Sequence, residues 1–267
     1  VVPAKNAKYV IQDVQRAIGD LPQEVRDLVK DRLVGIYLVE GLAQSENSDS
    51  LGMAFAVQGF WRQHVGTVIL IDRNDTDKRA NEAMAGMEYV PSRNYRGMAV
   101  APRLARRGEN DRVTTLRYVL LHELGHLVDF ERDIVSGWFS HDEARADCAF
   151  ACLSWVNPER HRFSRYLNSA LSQVQSGNHD DYVRSLPDTF RRLEKSNFPS
   201  LYATTMPAED FAESFAMYVH TVLMQRPWEL TLRQNGTIVG NLGSCFTDGR
   251  CRDKRDYFDR LFAEVRR

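Results

Sequence analysis

The chain has 267 residues, 43% of them hydrophobic, enough for one large domain or two closely packed lobes around a substantial core. Its formal net charge of −1 argues against a nucleic-acid partner held by phosphate neutralisation. No run is long and apolar enough to span a membrane, and no secretory leader is visible at the Val1-Val2-Pro3 start, which points to processing or trimming.

Residues 8–18 and 22–32 carry apolar side chains at helical spacing, with Pro22 opening the second stretch. Three runs that read as strands follow: Leu33 to Val39, Met53 to Phe60 and Gly66 to Asp72. They are rich in Val, Ile, Leu, Phe and Tyr and bounded by Gly, Ser, Asn and Asp. Thr67-Val68-Ile69-Leu70-Ile71-Asp72 is the most β-like. It fits equally well as a sheet edge able to pair with an extended peptide or as an interior strand. Residues 74–110 are polar and punctuated by Gly86, Pro91, Gly97, Pro102 and Gly108, the composition of a loop-rich connection over a cleft.

The next element carries the chemistry. Asp111 suits the N-cap of a helix whose Val113, Leu116, Val119, Leu120, Leu121, Leu124, Leu127, Val128 and Phe130 make it apolar on nearly every side, as in a helix through the middle of a domain. Within it, Leu121-His122-Glu123-Leu124-Gly125-His126-Leu127 sets two imidazoles one turn apart on one face, so His122 and His126 can bind one cation. Glu123 sits about 100° round the helix from His122. There it does not compete for the metal but reaches a water at an open coordination position, as the general base of a zinc hydrolase must. Gly125 suits close approach of substrate or a neighbouring loop. A core helix with two coincidental histidines is the bland alternative, and the adjoining Glu123 weighs against it. Asp129, three residues past His126 on the same side, reads as support for a histidine or a neighbouring turn, with a helix-end charge as the alternative.

A catalytic zinc site needs a third protein ligand, and two downstream stretches offer one. In Ser140-His141-Asp142-Glu143-Ala144-Arg145-Ala146-Asp147, Glu143 follows His126 by 17 positions, and Glu-x-x-x-Asp resembles the third-ligand helix of thermolysin-like enzymes. Ser140-x-x-Glu143 is also a capping box for a helix over 141–156, which would occupy that carboxylate with backbone. Helical patterns continue over 158–175, 179–195 and 207–225. The last starts at Thr204 or Thr205 with Pro207, and puts Glu209 and Glu213 on one face. Two acids on an otherwise apolar helix are costly to bury without a cation or donors; a solvated acidic face at the helix N-terminus is the alternative. His220, three turns beyond Glu209, is too far away to share its ion and reads as a satisfied core or surface histidine. Gln234-Asn235-Gly236-Thr237 marks a turn between Glu229–Leu232 and Ile238–Val239, and a final helix begins near residue 254.

Four cysteines are sparse but even in number. Cys245 and Cys251 can close a small disulfide loop, which implies an oxidising compartment. Cys148 and Cys152, one helical turn apart, can bridge only with strain and otherwise read as buried thiols or as partners of the other pair. A second zinc site made from all four lacks the Cys-x-x-Cys spacing.

The run from His122 to Asp129, together with Tyr202 seven residues before Glu209 and Glu213 four after it, resembles the zinc peptidases of the anthrax lethal factor and Pro-Pro endopeptidase type, a branch of the gluzincins. The likeness covers residues 111–131 and 200–219. It implies that His122, His126 and Glu209 hold one Zn2+ and that Glu123 is the base. Tyr202 would donate to the developing oxyanion, and Glu213 would stand behind the ligands. Glu209 follows His126 by 83 positions, longer than the family spacing. That interval leaves room for an inserted helical segment and keeps Glu143 as second choice for the third ligand.

The expected fold is α+β, a small N-terminal mixed sheet packed on a mainly helical zincin-like catalytic region within one domain over 1–267. Its parts are an α+β lobe with strands and cleft loops (1–110), a helical lobe with the zinc site (111–227) and a C-terminal hairpin, loop and helix (228–267). The expected activity is zinc-dependent hydrolysis of peptide bonds, with a protein or peptide as substrate. The rivals are a zinc-stabilised scaffold without turnover and a zinc hydrolase of a non-peptide amide such as a cell-wall cross-link. The expected location is the periplasm or outside a bacterial cell, and the alternative is a secreted effector acting in a host cytosol.

Overall fold

The apolar runs between positions 33 and 72 fold into a four-stranded mixed sheet in a computed structural model that describes residues 2–5, 8–42, 51–58, 64–73, 77–88, 90–91, 93–135, 148–163, 167 and 179–266. Strands β1 (Val2–Pro3), β2 (Leu33–Glu40), β3 (Gly52–Gln58) and β4 (His64–Asp72) lie in the order β1-β2-β4-β3. β2 runs parallel to β4, while β1–β2 and β3–β4 are antiparallel. Alternation sends Ile69 and Ile71 into the core and leaves Tyr37 and Phe55, on the opposite face, about half exposed. The most β-like run is thus the interior strand, as a near-continuous apolar sequence flanked on both sides should be. The edges are β1 and β3, and β3 has β4 as its one strand partner among the described residues.

Beneath the inner face runs α4 (Arg112–Arg132), in contact with β3 and β4 and with α1 (Lys8–Gly19), α2 (Gln23–Val29) and α3 (Ala80–Met87). Asp111 caps it, its Oδ1 accepting the Thr114 N–H at 2.9 Å. At the other end Asp133 closes the helix in the left-handed region with φ 50°. Of the apolar positions expected to be buried on α4, all but Phe130 are. Each contributes roughly 1.5–3 kcal/mol relative to exposure.

Three stretches fold differently from the sequence reading. The polar 74–110 region is not a simple loop, because it contains α3 and the strand β5 (Met98–Arg103). β5 joins β8 (Glu229–Gln234) and β9 (Thr237–Gly243) in an antiparallel sheet of order β5-β8-β9. Its partner is more than a hundred residues away, and Pro102 on an edge strand masks the β pattern. The predicted β8–β9 turn is present, with Asn235 and Gly236 both at positive φ as a type I′ hairpin requires. Second, residues 155–161 form a small hairpin, β6 (Trp155–Asn157) with β7 (Arg160–His161), after a short α5 (Ala151–Ser154). Pro158 disfavours helical backbone at Asn157 and interrupts the expected helices there. Much of the predicted 141–156 and 158–175 helices, including the Ser140 capping box and Glu143, lies outside the described residues. Third, Cys148 and Cys152 are joined, as are Cys245 and Cys251. The Cys152 N–H donates to the Cys148 carbonyl at 3.1 Å, so the first pair bridges one helical turn at the entry to α5.

The remaining helices are α6 (His179–Leu193), α7 (Pro207–Tyr218), α8 (Cys245–Asp248) and α9 (Arg252–Val265). α7 begins with Pro207 in its first turn, crosses α4 and continues into a π-helical turn over Val219–Leu223. Among the described residues no helix is long and apolar enough to cross a membrane.

Candidate metal centre

The crossing of α4 and α7 brings His122, His126, Glu209 and Glu213 together. His122 Nε2 lies 3.1 Å from Glu209 Oε2 and 3.2 Å from His126 Nε2, and His126 Nε2 lies 3.4 Å from Glu209 Oε2. Among the described residues these three form the one group of His, Cys, Asp or Glu able to share an ion. Zinc bonds of ~2.0–2.1 Å in a tetrahedral set place ligand atoms about 3.3–3.4 Å apart, close to all three edges of this triangle.

Glu209 Oε2 is buried and makes no hydrogen bond of acceptable geometry despite its two imidazole neighbours. Burial opposes the charge on Glu209, yet the His126 and His122 rings hold its carboxyl well below the usual carboxylate range. Burial likewise opposes charge on His122, and the Glu209 and Glu213 carboxylates outweigh it and hold the imidazole well above its ordinary value. The cluster is one that a cation at its centre would satisfy. A proton satisfies one edge of the triangle at a time, whereas a divalent ion satisfies all three corners.

Glu213, one turn beyond Glu209, does not join the triangle. Its Oε1 accepts from His122 Nδ1 at 2.8 Å, which orients the ring so that Nε2 faces Glu209 and His126. Asp129 is fully buried, and its Oδ1 accepts the Val135 N–H at 2.6 Å, so it anchors the turn that follows α4. His220 is buried too, its Nε2 within 3.0 Å of the Leu104 and Pro227 carbonyls, and burial pushes it down to about 3. It is a core histidine remote from the triangle.

Glu123 leaves α4 toward the sheet. It is 4% exposed, the Ala54 backbone N–H of β3 lies close enough to favour its charged form, and its Oε2 is buried with no hydrogen-bond partner. Burial pushes its carboxyl up, and the two imidazoles pull it back only in part. Such a carboxylate is disposed to take a proton. Tyr202 opens a 3-10 turn, Tyr202–Thr204, and its ring lies 5.9 Å from that of His122, centroid to centroid. Glu143 lies outside the described residues; among those described, the third corner of the triangle comes from Glu209 on α7.

Several contributors have no signature in the sequence. A Cβ at Gly52 would come within 2.8 Å of Glu123 Oε1, so any larger residue there would push the carboxylate aside. Gly125 serves α7, not a substrate or loop: a Cβ there would meet Ala212 Cα at 2.8 Å. Asp210, next to Glu209, is fully buried and accepts from Lys254 Nζ of α9 at 2.5 Å and from Trp155 Nε1 at 3.1 Å. That pair pins the first turn of α7. A helix with Glu209 and Glu213 on one face was visible in the sequence; the partners of Asp210 were not.

Comparison of the chain with protein-family models, with curated proteins and with solved structures found no match.

Proposed function

We propose that this protein is a zinc-dependent endopeptidase of the gluzincin kind, with a zincin-like arrangement of sheet edge, motif helix and third-ligand helix. The observation that carries the reading is the triangle of His122 Nε2, His126 Nε2 and Glu209 Oε2, with the unpartnered Glu123 Oε2 buried nearby. His122, His126 and Glu209 would hold the metal. Zinc, when bound, supplies Lewis-acid polarisation of a carbonyl and of an attacking water near neutral pH.

The chain's own groups account for the rest of the reaction. Glu123 takes the proton of the attacking water and passes it to the leaving amine nitrogen as the peptide C–N bond breaks. Tyr202, beside His122, donates its phenolic hydrogen bond to the oxygen on which negative charge develops. Glu213 keeps His122 in the tautomer that ligation needs. The β3 edge, which meets Glu123 at Ala54, offers main-chain groups to an extended peptide, so affinity for the backbone would be general and specificity left to side-chain pockets. Two disulfides are consistent with an extracytoplasmic location, and we place the protein in the periplasm or outside the cell.

The test is metal content together with turnover of a quenched peptide library. Glu123→Gln should keep one zinc per chain and lose cleavage, Glu209→Ala should lose the zinc, and Glu143→Ala should keep it. If only Glu143→Ala empties the site, the ligand assignment is wrong. A wild-type chain that binds zinc and cuts no peptide would favour a scaffold or a hydrolase of other amides.

A further inference from the structure

Glu88 stands at the C-terminal end of α3, outside every motif in the sequence, and is 2% exposed. A carboxylate so buried is costly unless donors meet it, and here three do. Its Oε2 accepts the Leu201 N–H at 2.8 Å, and the Tyr202 N–H and the Ser200 hydroxyl lie close enough to favour its charged form. All three donors belong to the turn that leads into the Tyr202–Thr204 3-10 segment. The charge of Glu213 acts on Glu88 from nearby; burial first, and then that charge, push its carboxyl up to about 8 against the pull of the donors. Glu213 is the residue bonded to His122 Nδ1, and the His122 ring faces that of Tyr202. Glu88 therefore sits between the backbone that carries Tyr202 and the carboxylate that orients His122.

We propose that Glu88 is a positioning residue for Tyr202, gathering the 200–202 turn so that the phenol stays beside His122 and the metal triangle; this role rests on the peptidase reading above. A carboxyl group is suited to it because both of its oxygens can accept from neighbouring donors of the turn, which a single hydroxyl oxygen in the same place cannot do. Three separate water-mediated contacts would leave the turn free to shift, and a displacement of about 1 Å is enough to cost roughly 100-fold in rate.

The experiment uses the full zinc-loaded chain as wild type, Glu88→Gln, Glu88→Ala, Tyr202→Phe and the Glu88→Gln/Tyr202→Phe double variant. Amide hydrogen exchange over residues 199–203 reads the position of the turn. Glu88→Ala should speed exchange at Leu201 and Tyr202 by about tenfold or more and leave the amides of α4 unchanged. Peptide cleavage reads the coupling. Glu88→Gln should lower kcat by about tenfold with KM and zinc content held, and should add nothing once Tyr202 is Phe. Unaltered exchange at the two amides overturns the proposal, and so do kcat losses that multiply in the double variant. Should Glu88→Ala fail to fold, Glu88→Gln, which keeps the volume and one acceptor oxygen, supplies both readouts. A wild-type chain that binds zinc but cleaves nothing overturns the peptidase reading instead, and exchange at Leu201 and Tyr202 still decides whether Glu88 orders the turn.

Discussion

Gly125→Ala tests whether the closeness of α4 and α7 is what makes the metal site. The new Cβ would meet Ala212 at 2.8 Å from Cα, 3.1 Å from O and 3.3 Å from Cβ, contacts with helix backbone that no side-chain rotation relieves. Ordinary contact begins near 3.4 Å, so the helices must part locally by about 0.6 Å. Overpacking of this kind costs ~1–3 kcal/mol, and the better helix propensity of alanine returns ~1 kcal/mol. The metal-free protein should therefore lose roughly 0–2 kcal/mol, a fall in Tm of up to about 8 °C. Zinc binding should suffer more. The two triangle edges that join α7 to α4, 3.1 and 3.4 Å, must open, while the His122–His126 edge within α4 stays at 3.2 Å. A shift of ~0.6 Å is several times the ~0.2 Å tolerance of metal–ligand distances, and we expect the zinc Kd to weaken by roughly 10–100-fold. Competition against a chromophoric chelator measures the Kd, and calorimetry with and without zinc measures stability. A variant whose zinc Kd stays within about twofold of wild type would refute this account of the helix crossing.

Gly52→Ala crowds Glu123 Oε1 at 2.8 Å and Val119 Cγ1 at 3.0 Å. Here side chains can move, so zinc content should hold while kcat for peptide cleavage falls by about 100-fold; metal loss would show that β3 supports the ligands and not the base. Lys254→Met leaves the charge of fully buried Asp210 uncompensated. Urea unfolding should report a loss of ~3–5 kcal/mol, largely recovered by adding Asp210→Asn; a loss below about 1 kcal/mol would mean the pair is dispensable. His220 stays neutral in the folded state down to about pH 3, whereas its ordinary value is 6.5. Between those limits the unfolded state binds the extra proton, so His220 removes stability as pH falls, by at most ~1.4 kcal/mol per unit. Between pH 7 and pH 5, wild type should lose about 2 kcal/mol more than His220→Gln, and parallel pH curves for the two proteins would contradict this.

α4 was legible because every signal it needs is local: a capping Asp111, apolar residues all round and two histidines one turn apart. The same holds for the Asn235-Gly236 hairpin and for Glu209 and Glu213 on one face of α7. What stayed hidden is the identity of partners far along the chain. β5 finds β8, Glu88 finds Leu201, and Asp210 finds Lys254, and nothing in the local pattern of any of them names the other. Yet the motif helix itself contains the plan of the junction. Successive helical residues turn by about 100°, so Glu123 and Gly125 project about 80° to either side of the direction shared by His122 and His126. One side carries a carboxylate that reaches the β3 edge, and the other carries no side chain and admits α7. A Glu side chain is short, and Glu209 reaches the imidazoles only because the backbone of Ala212, on the same helix, rests against Gly125. The glycine between the histidines is thus as necessary to the third ligand as the histidines are to the first two.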